Sequence, residues 1–127
     1  VDDEIAQTPS DADKNFSGEF TARGSFQNLN YMTSGDASIV KKDDRYFVMF
    51  EDNFETPNGP DLQLYLTKNT ESTTRKDIFD GLQLGKLKSI KGKQVYEIPS
   101  GIAIEEYHSV SIHCRAFNVP WSYAPLK

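Results

Sequence analysis

No window of ten residues in this chain repeats its apolar side chains every three to four positions. That single feature removes every helical architecture, because a helix that packs in a globular domain needs such a stripe. The apolar runs are short, rich in Val, Ile, Phe, Tyr and Leu, and cut by clusters of Gly, Asn, Asp and Pro, which is the pattern of strands and turns. Strands are predicted over 18–26, 37–41, 46–51, 62–67, 82–88, 94–98 and 109–117, with a last extended piece at 121–124. The run Tyr46-Phe47-Val48-Met49-Phe50 is apolar at every position and reads as a central strand. Leu62, Leu64 and Leu66 alternate with Gln63, Tyr65 and Thr67, which predicts one buried face. The apolar phase slips between Leu84 and Leu87 around Gly85, the mark of a β-bulge. At most a turn of helix fits 75–79 or 104–107. Seven to nine short strands with turns between them imply an all-β fold, an antiparallel β-sandwich or partly closed barrel.

At 127 residues the chain has room for one domain. Its 12% aromatic content supplies the large buried areas that an apolar share of 37% alone would leave thin. A net charge of −5 and a pI near 5.0 argue against nucleic acid as the main partner. No apolar run approaches the roughly 20 residues of a membrane-spanning helix. A single cysteine excludes a disulfide-stapled scaffold and an all-cysteine zinc or iron–sulfur site within one protomer. Residues 1–15 are acidic and poor in apolar side chains, and read as a flexible tail ahead of a single domain at 16–127. The chain begins with valine, so a processed or trimmed N-terminus is expected, with the tail as a tether to an anchor.

Three segments carry candidate chemistry. Alternation along 109–117 sets Val110, Ile112, Cys114 and Ala116 on one face and Ser111, His113 and Arg115 on the other. His113 and Cys114 therefore point apart, and His108 is six residues from Cys114, roughly 20 Å along a strand, so no Cys–His metal site forms within it. Cys114 is then either a small core hydrophobe or a redox thiol, the latter with Arg115 lending positive potential near a rim of the sandwich. The loop from Glu51 to Asp61 concentrates oxygens, and Asp52, Asn53 and Asp61 are candidate ligands for calcium. The same loop reads as a turn in which Asn58-Gly59 supplies a positive φ and Pro60 fixes the next residue. Residues 85–93 form a basic island, either a surface for an acidic partner or an exposed strand whose lysines discourage edge pairing. There is no nucleophile elbow, phosphate-binding loop, dinucleotide fingerprint or paired-histidine zinc helix. Asn15-Phe16-Ser17 matches a glycosylation sequon.

Several of these residues sit in an order that resembles the electron-transfer DM-thirteen domain family. The segments are Asn53-Phe54, then Gly59-Pro60-Asp61-Leu62 with Leu64, Tyr65 and Leu66, then 84–88 and 92–99. The last block runs from Tyr107 through His113-Cys114-Arg115 to Val119, followed by Ala124 and Leu126. The resemblance implies a β-sandwich-like domain of secreted or cell-surface proteins, extracytoplasmic, with a redox role centred on Cys114. That cysteine would act as a bare thiol or as ligand to a prosthetic group such as haem, with Arg115 beside it. A tryptophan usually precedes the cysteine in the family, and His113 stands there here. The resemblance implies a redox or binding module rather than a stand-alone enzyme, a monomer whose partner is a redox partner protein or cell-surface protein. The competing expectations are an adhesion or structural sandwich with Cys114 in its core, and a calcium-dependent module using the Asp52–Asp61 loop.

Overall fold

The computed structural model describes residues 9–127 and is all-β, with nine strands in two antiparallel sheets. The strands are β1 (Glu19–Ser25), β2 (Gln27–Asn28), β3 (Asp36–Lys42), β4 (Arg45–Phe50), β5 (Leu62–Thr67), β6 (Leu82–Lys86), β7 (Gln94–Glu97), β8 (Ser109–Cys114) and β9 (Val119–Pro125). One sheet has the order β1-β3-β4-β7 and the other β2-β9-β8-β5-β6. The sheets are not closed into a barrel, so the sandwich half of the expected fold class is the observed one. Two short helices, α1 (Asp11–Lys14) and α2 (Arg75–Phe79), and a helical turn at Ile104–Glu106 complete the chain. None of these helices is long and apolar enough to cross a membrane.

Alternating side chains from the two sheets meet in one core. Ile39, Val48, Phe50 and Tyr96 from the first sheet face Leu62, Leu64, Leu66, Val110, Ile112 and Trp121 from the second, all buried. Each side chain of this kind adds about 1.5–3 kcal/mol when removed from water. Phe26, Phe50 and Phe54 pack ring on ring in the middle, with centroids 4.5–5.3 Å apart. The expected central strand lies between β3 and β7, and a two-residue turn at Asp43 and Asp44, both with positive φ, joins it to β3. The expected bulge is at Gly85, where φ is +122° and the β5–β6 register shifts between Leu64 and Tyr65.

Burial on β5 corrects the sequence expectation. All six residues are buried, as are all six of β8. The outer face is covered because the segment after β5 folds back over it: Ile78 and Ser72 are fully buried, and Phe79 packs edge-on against Tyr65. Beneath that cover the hydroxyls of Thr67, Ser72 and Ser109 are mutually hydrogen-bonded. These three hydroxyls thus satisfy one another out of water, whereas Ser111 Oγ on the same face is buried without a partner.

The N-terminal segment also departs from expectation where it is described. Residues 1–8 of the expected tail lie outside the described residues. Ser10 caps α1 by accepting from the Asp13 N–H, and Asp13 Oδ2 accepts both the Val95 N–H and Lys88 Nζ at 3.1 Å. Lys93 Nζ donates to the Phe16 carbonyl at 2.5 Å, and Phe16 packs edge-on against Phe47. Two lysines of the basic island therefore hold this acidic segment along β7. Gln94 and Tyr96 brace the same corner: the Tyr96 hydroxyl donates to Gln94 Oε1 at 2.6 Å and accepts the Lys88 N–H at 2.8 Å. Burial raises the Tyr96 pKa far above the ordinary phenol value, so it stays neutral.

Asp13 satisfies a backbone N–H on the half-buried edge of β7, so Asp13→Ala should destabilise the domain by about 1–2 kcal/mol. Urea unfolding of the two proteins at neutral pH checks this; coincident curves would mean that α1 contributes nothing to the fold.

Candidate functional site

Cys114 is the last residue of β8, paired with Leu62 on one side and Val119 on the other. Its side chain shares the inward face with Val110 and Ile112, as the alternation predicts, and is fully buried. The thiol donates to the Pro60 carbonyl, Sγ to O 3.1 Å. The chain just before β5 covers the sulfur, and three contacts hold it there. Gly59 lies against the Trp121 indole, so closely that a Cβ would come within 2.6 Å of the ring. The Arg115 N–H donates to the Asp61 carbonyl at 3.0 Å. The Arg115 guanidinium pairs with the Asp61 carboxylate, Nε to Oδ2 3.4 Å. Asp61 itself has φ +55°, which bends the chain into β5, and its Oδ1 accepts from Gln63 Nε2.

Three expectations are corrected here. The strand ends at Cys114 rather than Phe117, because Asn118 takes φ +53° and its N–H donates to the Arg115 carbonyl at 3.2 Å, turning the chain into β9. The thiol is therefore closed in, where a half-open rim position was expected, and Arg115 acts through Asp61 on the covering segment. The positive φ of the preceding loop falls on Asp61, not on Gly59; Gly59 is required by its contact with Trp121.

As placed, Cys114 does not fit as ligand to a group the size of haem. Its sulfur is enclosed on the core side by packed side chains and on the other by the Pro60 carbonyl. The oxygen-rich loop is divided between different duties. Asn53 exchanges hydrogen bonds with Asp36 at 3.0 Å, Asp61 serves Arg115 and Gln63, and Asp52 lies exposed in a turn. Among the described residues, no group of three or more His, Cys, Asp or Glu is placed to hold a metal ion.

His113 faces away from Cys114, as its parity predicts. It is fully buried beneath α2, with Phe79 at 5.0 Å and Tyr65 at 6.3 Å between ring centroids. Nε2 is 3.1 Å from Asn118 Oδ1, and Nδ1 has no hydrogen-bond partner. Burial lowers its pKa, the bond to Asn118 opposes this, and the nearby Arg75 charge lowers it further.

A second feature has only one signal in the sequence, the single tryptophan. The Trp121 Nε1–H donates to Thr56 Oγ1 at 3.0 Å, and Thr56 shares a 2.8 Å hydrogen bond with Thr33. Tyr31 stacks on the indole at 3.6 Å between centroids and 17° between planes. A cleft of about 400 Å³, lined by Asn28, Met32, Thr33 and Thr56 among others, opens beside them.

Gly59→Val should cost about 1–3 kcal/mol by forcing Trp121 out of position, read as a lowered midpoint in thermal melts; an unshifted midpoint would show that the loop yields freely. For His113, the unfolded chain takes up the proton before the folded one as pH falls. Stability is thus complete above the ordinary pKa of 6.5 and declines below it until the folded group also titrates. His113→Gln should flatten that decline in urea midpoints measured across the acidic range. A slope equal to that of the unsubstituted protein would place the acid sensitivity elsewhere.

Comparison with known proteins gives one family. No curated protein matches the chain, and no solved structure does. The family model described as Electron transfer DM13 matches residues 25–126, which span every strand after β1 and contain Cys114 together with the segment that covers it. The chain belongs to the electron transfer DM13 family.

Proposed function

We propose that this domain is an extracytoplasmic electron-transfer module whose redox centre is the bare thiol of Cys114, released when the segment at 59–61 lifts. The observation that carries the reading is the thiol's placement: fully buried, hydrogen-bonded to one carbonyl, and covered by a segment held through a single ion pair and a few backbone contacts. A surface ion pair of this kind contributes about 0–1 kcal/mol, so local opening lies well within thermal reach compared with unfolding the sheets. Once uncovered, the thiol loses its proton to water. The thiolate then attacks one sulfur of a disulfide on a partner or small molecule, forming a new S–S bond and expelling the other sulfur as a thiolate. The partner is then a thiol–disulfide protein of the secreted or cell-surface compartment, where such bonds persist.

The second reading, Cys114 as a core residue only, is favoured by its complete burial. Reaction of the native protein with an aromatic disulfide reagent, followed across low urea concentrations, separates the two. The redox reading expects a rate that is almost independent of urea below the unfolding transition, and that rises several-fold in Asp61→Asn. A rate that climbs with the full slope of global unfolding, unchanged by Asp61→Asn, would leave Cys114 with a packing role alone.

A further inference from the structure

We propose that Tyr31 and Trp121 form a port that relays single electrons between a donor meeting the exposed phenol ring and an outer-sphere acceptor of the metal-complex class that draws on the indole. The inference rests on the electron-transfer role and not on Cys114 being the redox centre. Tryptophan and tyrosine are among the side chains that give up one electron most readily, and tunnelling weakens exponentially with the gap between donor and acceptor. A stack with centroids 3.6 Å apart leaves almost no gap. The two rings divide the tasks: Trp121 is 2% exposed and Tyr31 is 38% exposed, so one ring faces the core and the other faces solvent.

The stack is held from both sides. The N–H groups of Asn30 and Tyr31 both donate to the Trp121 carbonyl, at 3.3 and 3.2 Å, and Asn30 Nδ2 donates to the Pro120 carbonyl at 2.7 Å. Thr56 fixes the indole nitrogen. On its inner side the indole touches Gly59, whose neighbour Pro60 accepts the Cys114 thiol, so the pair reaches the candidate redox centre through two residues of backbone. On the outer side the adjoining cleft and the 71% exposed Met32 offer an apolar recess against which a partner can seat.

The chemistry balances with an outer-sphere one-electron acceptor of the metal-complex class. The acceptor takes one electron from Trp121 and is reduced by one unit, leaving an indole radical cation with its Nε1–H still donated to Thr56. Tyr31 gives one electron to the indole and its phenolic proton to water, which restores Trp121 and leaves a phenoxyl radical. One electron from a donor and one proton from water then return Tyr31 to the phenol.

Flash photolysis of the full chain with a photo-oxidised ruthenium polypyridyl complex tests this by transient absorption. Trp121 is the only tryptophan, so the indole radical signal reports that residue alone. The port requires the indole signal to decay as a phenoxyl signal grows, and this conversion to slow in heavy water because a proton leaves with the electron. Tyr31→Phe keeps the ring but should leave the indole radical several-fold longer-lived, while Tyr107→Phe should change nothing. An indole lifetime equal in the parent protein and Tyr31→Phe, insensitivity to heavy water, or no indole radical at all would each overturn the port. Cys114→Ala should leave the conversion intact, so a Cys114 thiol that fails the disulfide test would not touch this result.

Discussion

Six consecutive residue pairs join β5 to β8, from Leu62 opposite Cys114 to Thr67 opposite Ser109, and the placement of Cys114 and of the chain that covers it follows from that register. It sets Leu62, Leu64 and Leu66 beside Cys114, Ile112 and Val110 in the core, and fixes where the chain entering β5 must run. Because Leu62 lies opposite Cys114, the residues just before it arrive over the sulfur. A slip of one residue would turn every side chain of β5 to the other face and withdraw the Pro60 carbonyl. The enclosure of the thiol is thus a consequence of sheet pairing, and the ion pair between Arg115 and Asp61 only fastens it.

The same register fixes what position 113 can affect. Position 113 points to the outer face, where His113 is packed under Phe79 and bonded to Asn118. Its neighbour on the inner face keeps its own surroundings. The His113 ring carries a buried, unpartnered nitrogen, so a substitution there acts on the covering helix α2 and on acid stability.

Much of this was legible in the residue pattern. The bounds of β5 were readable from alternation and a helical turn was expected at 75–79, while the Thr74–Asp77 capping box that starts α2 is a local signal that the expectation did not use. The bulge at Gly85 and the inward parity of Cys114 came from phase alone. What stayed hidden depends on distant parts of the chain. Gln63, Tyr65 and Thr67 look solvent-facing until residues 68–81 fold back over them. The basic island looks free until Lys88 and Lys93 meet Asp13 and Phe16. The oxygen-rich loop looks like a cation site until Asn53 and Asp61 are drawn to opposite sheets by Asp36 and Arg115. The Tyr31–Trp121 stack joins residues 90 positions apart, with no local pattern to announce it.

The enclosure of Cys114 is expressed in one bond, from its thiol to the Pro60 carbonyl, and the S–H stretching band in the infrared reports it directly. Proteins contribute little else in that spectral region, and this chain has a single cysteine. A narrow band shifted to lower frequency than a free thiol, absent in Cys114→Ala and unmoved in Asp61→Asn, whose lost ion pair changes how often the segment opens and not where it rests, is the predicted result. A broad, unshifted band in the native protein would mean that the thiol is solvated and that the segment at 59–61 does not enclose it.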